Sequence, residues 1–345
     1  MARGGRSMSA ATGKPTIRRV PPAGQPLIEA RDLYKRYRLS RQHFFKAAPT
    51  VLAVDGVSFK VAPGSTFGLV GESGSGKTTV AKMLLKLEPP SAGTLLVDGM
   101  DIFAQDRAAE RAYRSKVQAV LQDPYGALSP RLTVGRIIAE PLVAQGRMSW
   151  KQGESRAAGL MDMVGLRSDG LHKYPHEFSG GQRQRIAIAR ALSVDPHIIV
   201  LDESVSALDV SVRAQILKLL EEVQRKLGVT YLFIGHDLAI VRYMSTDVGV
   251  MYLGQLVEIG TAAQVFNRPL HPYTRQLVAA GSADTPIRPL GAGGELPSPI
   301  NPPSGCRFHT RCPHATALCA QQAPALREID SGHQARCHHI EQIAA

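Results

Sequence analysis

An α/β fold is the class this sequence predicts, on three observations. From Ile28 onward, short β-branched runs alternate with longer runs whose apolar residues fall at helical spacing. A glycine-rich stretch, GESGSGKTT (71–79), lies between an apolar run and a helical one. A second apolar run, IIVLDE (198–203), ends in two carboxylates.

The elements follow in order. VLAVDGVSFKV (51–61) alternates apolar and polar residues, as a half-buried strand does, and STFGLV (65–70) is nearly continuous in apolar residues, as a buried one is. TVAKMLLKL (79–87) has helical periodicity and is stopped by Pro89-Pro90. VQAVL (117–121), HIIVL (197–201) and TYLFIG (230–235) read as further buried strands, and VGVMYLGQLVEIG (248–260) as a terminal hairpin. Between Pro124 and Phe178 the text is mainly helical, so an inserted helical region interrupts the strand order. After Pro269 the composition shifts, and GAGGELPSPINPPSG (291–305) is a Gly/Pro-rich connector. The expected division is a basic N-terminal tail (1–27), a large α/β domain (28–265) and a small C-terminal unit (266–345) holding every cysteine. No repeat is evident.

Composition narrows the class. With 345 residues, 44% hydrophobic and 20% charged, the chain can bury one large core and an appendage. No uncharged apolar run approaches the roughly 18–20 residues that span a bilayer, and the first twenty residues lack the apolar region of a secretory signal, so a cytoplasmic setting is expected. The net charge of +12 is uneven: residues 1–46 hold eleven Lys/Arg against Glu29 and Asp32. Such a segment meets anionic headgroups or nucleic acid, or is simply a solvated tail, which its Gly/Ser/Pro/Ala content favours.

GESGSGKTT satisfies the spacing G-x-x-x-x-G-K-[ST] in the strand–loop–helix context that gives the motif meaning. Gly71, Gly74 and Gly76, with Ser73 and Ser75, let backbone amides converge on phosphate oxygens. Lys77 reaches the β/γ-phosphates, the Thr78 hydroxyl can ligate Mg²⁺, and Thr79 continues the helix start. Asp202 can hold Mg²⁺ through water, and Glu203 is placed to polarise an attacking water. These motifs thus call for a nucleotide phosphate and Mg²⁺; that the nucleotide is ATP is what the family resemblance of the segment between them implies.

Between these motifs, FSGGQRQRIAIARAL (178–192) resembles the signature of ATP-binding cassette (ABC) ATPases. Gln122 in LQDPYGALSP matches that family's Q-loop, SALD (206–209) with Asp209 its D-loop, and His236 in IGHD its switch histidine. Tyr37 in LYKRYRL is the match to the adenine-stacking aromatic, next to an insertion containing Phe44 and Phe45. The resemblance implies an ABC ATPase fold: a P-loop NTPase core with a β-subdomain and an inserted helical subdomain, plus a small Cys-containing C-terminal extension. Ser179 stands at a helix N-cap position, and Gly180, Gly181 and Gln182 leave a second anion site at that helix start. In the family, this signature closes over the γ-phosphate held by the partner subunit's P-loop. The implied catalytic set is Lys77, Glu203 and His236. DESVSALD departs from the common DEPTSALD at Ser204 and Val205, neither of which carries chemistry.

QDPYGALSPRLTVGRIIAEPL (122–142), LDVSVRAQI (208–216), HPYTRQLV (271–278) and the cysteine segment resemble the ATPases of dipeptide and oligopeptide importers, a group that includes nickel and glutathione importers. The resemblance implies peptide import at the cytoplasmic face of the membrane. Its implied partners are two transmembrane permease subunits, an extracytoplasmic substrate-binding protein and a second ABC ATPase, in a heterodimer rather than a homodimer. A nickel or glutathione cargo, or a soluble ABC ATPase acting on nucleic acid, are the alternatives. Paired cassettes, zinc modules and long coiled-coil insertions typical of the last class are not visible, and no nucleic acid is expected.

Cys306, Cys312, Cys319 and Cys337 fall within 32 residues of a chain that has no cysteine before them. A cytoplasmic setting disfavours disulfides, and C-x2-C appears nowhere. Four thiolates suit an iron–sulfur cluster or tetrahedral zinc, and unligated thiols are the remaining reading. Related importer ATPases with this pattern bind [4Fe–4S], so the resemblance implies that cluster, with Zn²⁺ as the alternative. His309, His314, His333, His338 and His339 are expected beside the site rather than in it.

Overall fold

The structure, a computed structural model, describes residues 24–39, 49–104, 106–122, 124–206, 208–281 and 297–344. Most of the basic tail, the Phe44–Phe45 insertion and the first part of the Gly/Pro connector lie outside the described residues. The chain begins with β1 (Ile28–Arg38), β2 (Thr50–Val61), β3 (Thr66–Val70), α1 (Lys77–Leu84), β4 (Ala92–Val97), β5 (Met100–Asp101), α2 (Arg107–Lys116) and β6 (Val117–Val120). The helical insertion follows as α3 (Pro124–Ala127), α4 (Val134–Ala144), α5 (Trp150–Met163) and α6 (Gly180–Leu192). Then come β7 (Ile198–Asp202), α7 (Val210–Leu227), β8 (Thr230–Ile234), α8 (Leu238–Met244), β9 (Asp247–Tyr252), β10 (Gln255–Thr261), α9 (Ala262–Asn267) and α10 (Pro272–Ala280). The end of the chain forms α11 (Ala317–Gln321), β11 (Arg327–Asp330), β12 (His333–Ala335) and α12 (Ile340–Ala344).

Two sheets organise these elements. β2-β1-β4-β5 is antiparallel and half-exposed, as the alternation in β2 requires. The second sheet runs β11-β12-β10-β9-β3-β8-β7-β6. Its centre is parallel, β3 pairing with both β8 and β9, and β3 and β8 are buried along their whole length. That burial explains their continuous apolar sequences. One large apolar cluster fills the side carrying α4 to α8, and a second lies between the two sheets and around α1.

Two expectations are refined. The helix after the glycine-rich loop ends at Leu84, short of the Pro-Pro stop. Lys86 turns left-handed (φ +54°), and Leu87 N–H closes back on Lys82 O, leaving Leu87 68% exposed. The β9–β10 hairpin forms but is not terminal: β12 pairs with the free edge of β10, Glu258 opposite Ala335, and β11 follows. The C-terminal residues therefore continue the main sheet, and Phe308 joins its larger core. No helix among the described residues is long and apolar enough to cross a membrane.

Candidate active site

The phosphate-binding loop leaves β3 at its C-terminal edge and enters α1. Gly71 (φ +148°) and Gly76 (φ +107°) make that turn possible: a Cβ would stand 2.1 Å from Met251 O at the first and 2.3 Å from Ala53 O at the second. The loop is thus clamped between β9 and β2, while Ser73, Gly74 and Thr78 face outward. Lys77 is buried, its Nζ donating to Gly71 O (2.7 Å), Glu72 O (2.8 Å) and Ser75 Oγ (3.3 Å). Burial pushes the ammonium's pKa down, while the carboxylates of Glu203, Asp202 and Glu72 oppose that shift. A cation held only by oxygens of its own loop is poised to exchange them for phosphate oxygens.

Asp202 and Glu203 arrive from β7, parallel to β8, which carries His236 just past its end. Burial, then the neighbouring Glu203 charge, raises the Asp202 pKa, and Lys77 works against this. Such a carboxyl gains from a cation. Glu203 sits in the left-handed region (φ +48°), a conformation costing about 1–2 kcal/mol for a non-glycine residue, with its N–H bonded to Ile234 O (2.9 Å). The strained turn lifts its side chain off the strand. Gln122 Nε2 donates to Glu203 Oε2 (2.9 Å), and His236 Nδ1 lies 3.5 Å from Oε1. Three residues distant in sequence thus meet on one carboxylate.

Tyr37 lies beside the loop's helix. Its hydroxyl bonds Glu88 and reaches Thr79, Lys35 Nζ stands 5.2 Å from its ring centroid, and its pKa is pushed up to about 12, first by burial. The signature residues are elsewhere. Ser179 caps α6, accepting from Gln182 N–H (3.3 Å), while Gln182 Oε1 accepts from Ser179 N–H (2.9 Å). Both are exposed. Gly180 faces Leu208 and Gly181 faces Val212, whose Cγ1 would be 2.3 Å from a Cβ there, so α6 packs closely on α7. Asp209 is exposed at the N-cap position of α7, and Ser206 Oγ donates to Glu203 O (2.9 Å).

Two contacts are absent from the sequence reading. Arg213 of α7 bonds Leu208 O (3.0 Å), Ser206 O (3.4 Å) and Asp237 Oδ2 (3.2 Å), tying the D-loop match to the switch-histidine segment. Arg311, from the cysteine segment, forks onto Glu72 of the phosphate loop with two bonds of 2.9 Å. A bare arginine carries no local pattern that would have marked either.

The four cysteines gather on one side of the C-terminal unit: Cys306 N–H donates to Cys319 O (2.7 Å), and the charges of Cys337, Cys319 and Cys312 all act on the Cys306 thiol. Burial pushes the Cys306 and Cys312 thiols up to about 11. The four thiols do not form a closed ligand shell: no group of three or more His, Cys, Asp or Glu among the described residues is poised to hold a metal ion.

Comparison with known proteins agrees with this geometry. The family model described as ABC transporter matches residues 54–206, and that described as oligopeptide/dipeptide transporter, C-terminal region, matches 257–319. The dipeptide transport ATP-binding protein DppF of Escherichia coli (strain K12) is 45% identical over 92% of this chain and 96% of its own. The di/tripeptide transport ATP-binding protein DppF of Pseudomonas aeruginosa (strain UCBPP-PA14) is 44% identical over 92% and 99%. Among solved structures, cbiO1 of Clostridium perfringens, part of the ABC transporter complex cbiONQ, superposes with a TM-score of 0.61 at 26% identity, covering 70% of this chain and 91% of that one. A dimeric ATP-binding cassette in a post-hydrolysis state bound to ADP and Pi gives 0.59 at 25% identity, covering 68% and 98%.

Proposed function

The chain belongs to the ATP-binding subunits of ABC transporters, in the oligopeptide/dipeptide group, and on that premise we propose that it hydrolyses ATP to drive peptide import through a membrane permease pair. The observation that carries the ATPase half is the meeting of Gln122, Glu203 and His236 beside a phosphate loop whose lysine is held only by its own turn. Lys77 and the loop amides take the phosphates, and Thr78 with Asp202 would hold Mg²⁺, which would supply neutralising charge to the phosphates. Glu203 is the catalytic residue that orients and polarises water, with His236 beside it. Gln122 shares the Glu203 carboxylate and begins the path into the helical region.

That region supports a permease contact. A groove lined by Leu85, Leu87, Gln118, Leu121, Leu128 and Arg190 opens where α1, β6 and α6 meet, with Leu121 48% exposed at its rim. A permease loop seated there would feel Gln122 one residue away. The exposed Ser179 end of α6 is the surface for a second ATPase, and we place a companion subunit there in a heterodimer. The complex sits at the cytoplasmic face, fed by an extracytoplasmic binding protein. The four cysteines are the donors of a [4Fe–4S] cluster in the extension, a clip of that unit; no step of hydrolysis passes through it.

The test is co-purification of the importer under anaerobic conditions, followed by an ATPase assay with peptide-loaded binding protein. Stimulation by peptides and a brown colour lost in Cys312→Ser are the expected results. Stimulation by nickel chelates or glutathione alone overturns the cargo, and a colourless protein with stoichiometric zinc overturns the cluster.

A further inference from the structure

The phosphate loop of this chain carries an acid. Glu72 lies directly after Gly71, and its charge reaches the ammonium of Lys77. An unneutralised carboxylate so placed repels every anion the loop binds. The structure shows where the compensation comes from: Arg311 grips both Glu72 oxygens at 2.9 Å, with only 5% of its side chain exposed and 16% of Glu72's. The planar guanidinium forks onto both carboxylate oxygens, and its charge offsets theirs.

The fork is held from behind. Arg311 N–H bonds Phe308 O (3.0 Å), Phe308 is buried against Tyr252 and Tyr273 at 5.2 and 5.4 Å between ring centroids, and the guanidinium lies 5.7 Å from the Tyr252 ring. The same aromatic cluster touches the loop, since the Tyr273 hydroxyl accepts from Glu72 N–H (2.9 Å). Glu72 is therefore fixed at its amide by α10, at its carbonyl by Lys77 and at its side chain by the cysteine segment.

We infer that Arg311 is a positioning residue of the nucleotide site, which neutralises Glu72 and thereby makes the phosphate loop of this chain competent for nucleoside triphosphate. The inference rests on the ATPase reading above. In consequence the C-terminal extension is part of the nucleotide site, and ATP affinity depends on how Cys306 to Cys312 is folded.

The experiment is equilibrium binding of mant-ATP and mant-ADP, with Mg²⁺, to the full chain. Arg311→Ala should weaken mant-ATP by about tenfold, mant-ADP by less, and the loss should shrink in about 1 M salt. Adding Glu72→Gln to Arg311→Ala should restore mant-ATP binding to within about threefold of the native chain, because the repelling charge is gone. Arg327→Ala, which breaks an exposed pair with Glu341 in the same unit, should leave binding unchanged. If Arg311→Ala melts too low to measure, Arg311→Lys carries the test: near-native binding supports neutralisation, and a tenfold loss overturns it. Unchanged affinity in Arg311→Ala, or a double variant as weak as the single, also overturns the inference. A native chain that binds no mant-ATP instead overturns the ATPase reading.

Discussion

At the scale of single residues, the site is built around the carboxylate of Glu203. Its left-handed backbone is tolerated because its N–H is paired to β8, and its oxygens are shared by Gln122 and His236. Glu203→Gln keeps the shape but removes the charge that the proposed function assigns to polarising water. Turnover should fall by about 10²-fold or more, with mant-ATP affinity within about twofold of native. Near-native hydrolysis in a phosphate-release assay would show that another group prepares the water. Each of these residues could be named from its motif. Arg213 and Arg311 could not, because an arginine's partner lies wherever the fold brings a carboxylate, 239 positions away in the case of Glu72.

At the scale of elements, the ends of the core strands set the chemistry and their edges set the attachment of the C-terminal unit. β10 offers β12 an open edge, and Glu258 makes the join: buried, it accepts from Leu270 N–H (2.9 Å), His271 N–H (2.8 Å) and His333 Nε2 (2.8 Å). His271 is also buried, its Nδ1 accepting from Tyr273 N–H at the start of α10, and burial pushes its pKa down to about 4. A depressed folded value means that the unfolded chain binds the proton first. This contribution is therefore complete above pH about 6.5 and is lost as pH falls toward 4, amounting to about 3 kcal/mol. Thermal melts of native and His271→Asn chains should converge as pH drops from 7 to 4.5, since Asn keeps the cap but does not titrate. Parallel pH profiles would assign the acid sensitivity elsewhere.

At the scale of the whole molecule, the phosphate loop and the capped start of α6 stand apart. Lys77 opens α1 at the end of the loop from β3, while the capped start of α6 is turned to solvent and leans on α7 through Gly181. Such a split suits an assembly in which each subunit completes the other's site. Native mass spectrometry of the importer, purified through a tag on this chain, should give one copy beside one companion ATPase. Two copies of this chain would overturn the heterodimer.

The sequence by itself determined β2, β3 and β6 to β10, the phosphate loop, the carboxylate pair and the signature helix, but not β1, β4, β5, β11 or β12, where β1 meets β4 and β12 meets β10 only across long stretches of chain. In each of the former the needed information is local: a period, a glycine at a forced turn, a cap three residues from its partner. Only the tertiary structure decided that residues 297–344 are joined to the main sheet and its core. Their attachment depends on an open strand edge, a buried aromatic cluster and two ion pairs reaching back to Asp55 and Glu72. Charges that distant in sequence can be paired only by the fold that brings them together, and here that pairing joins the cysteine segment to the phosphate loop.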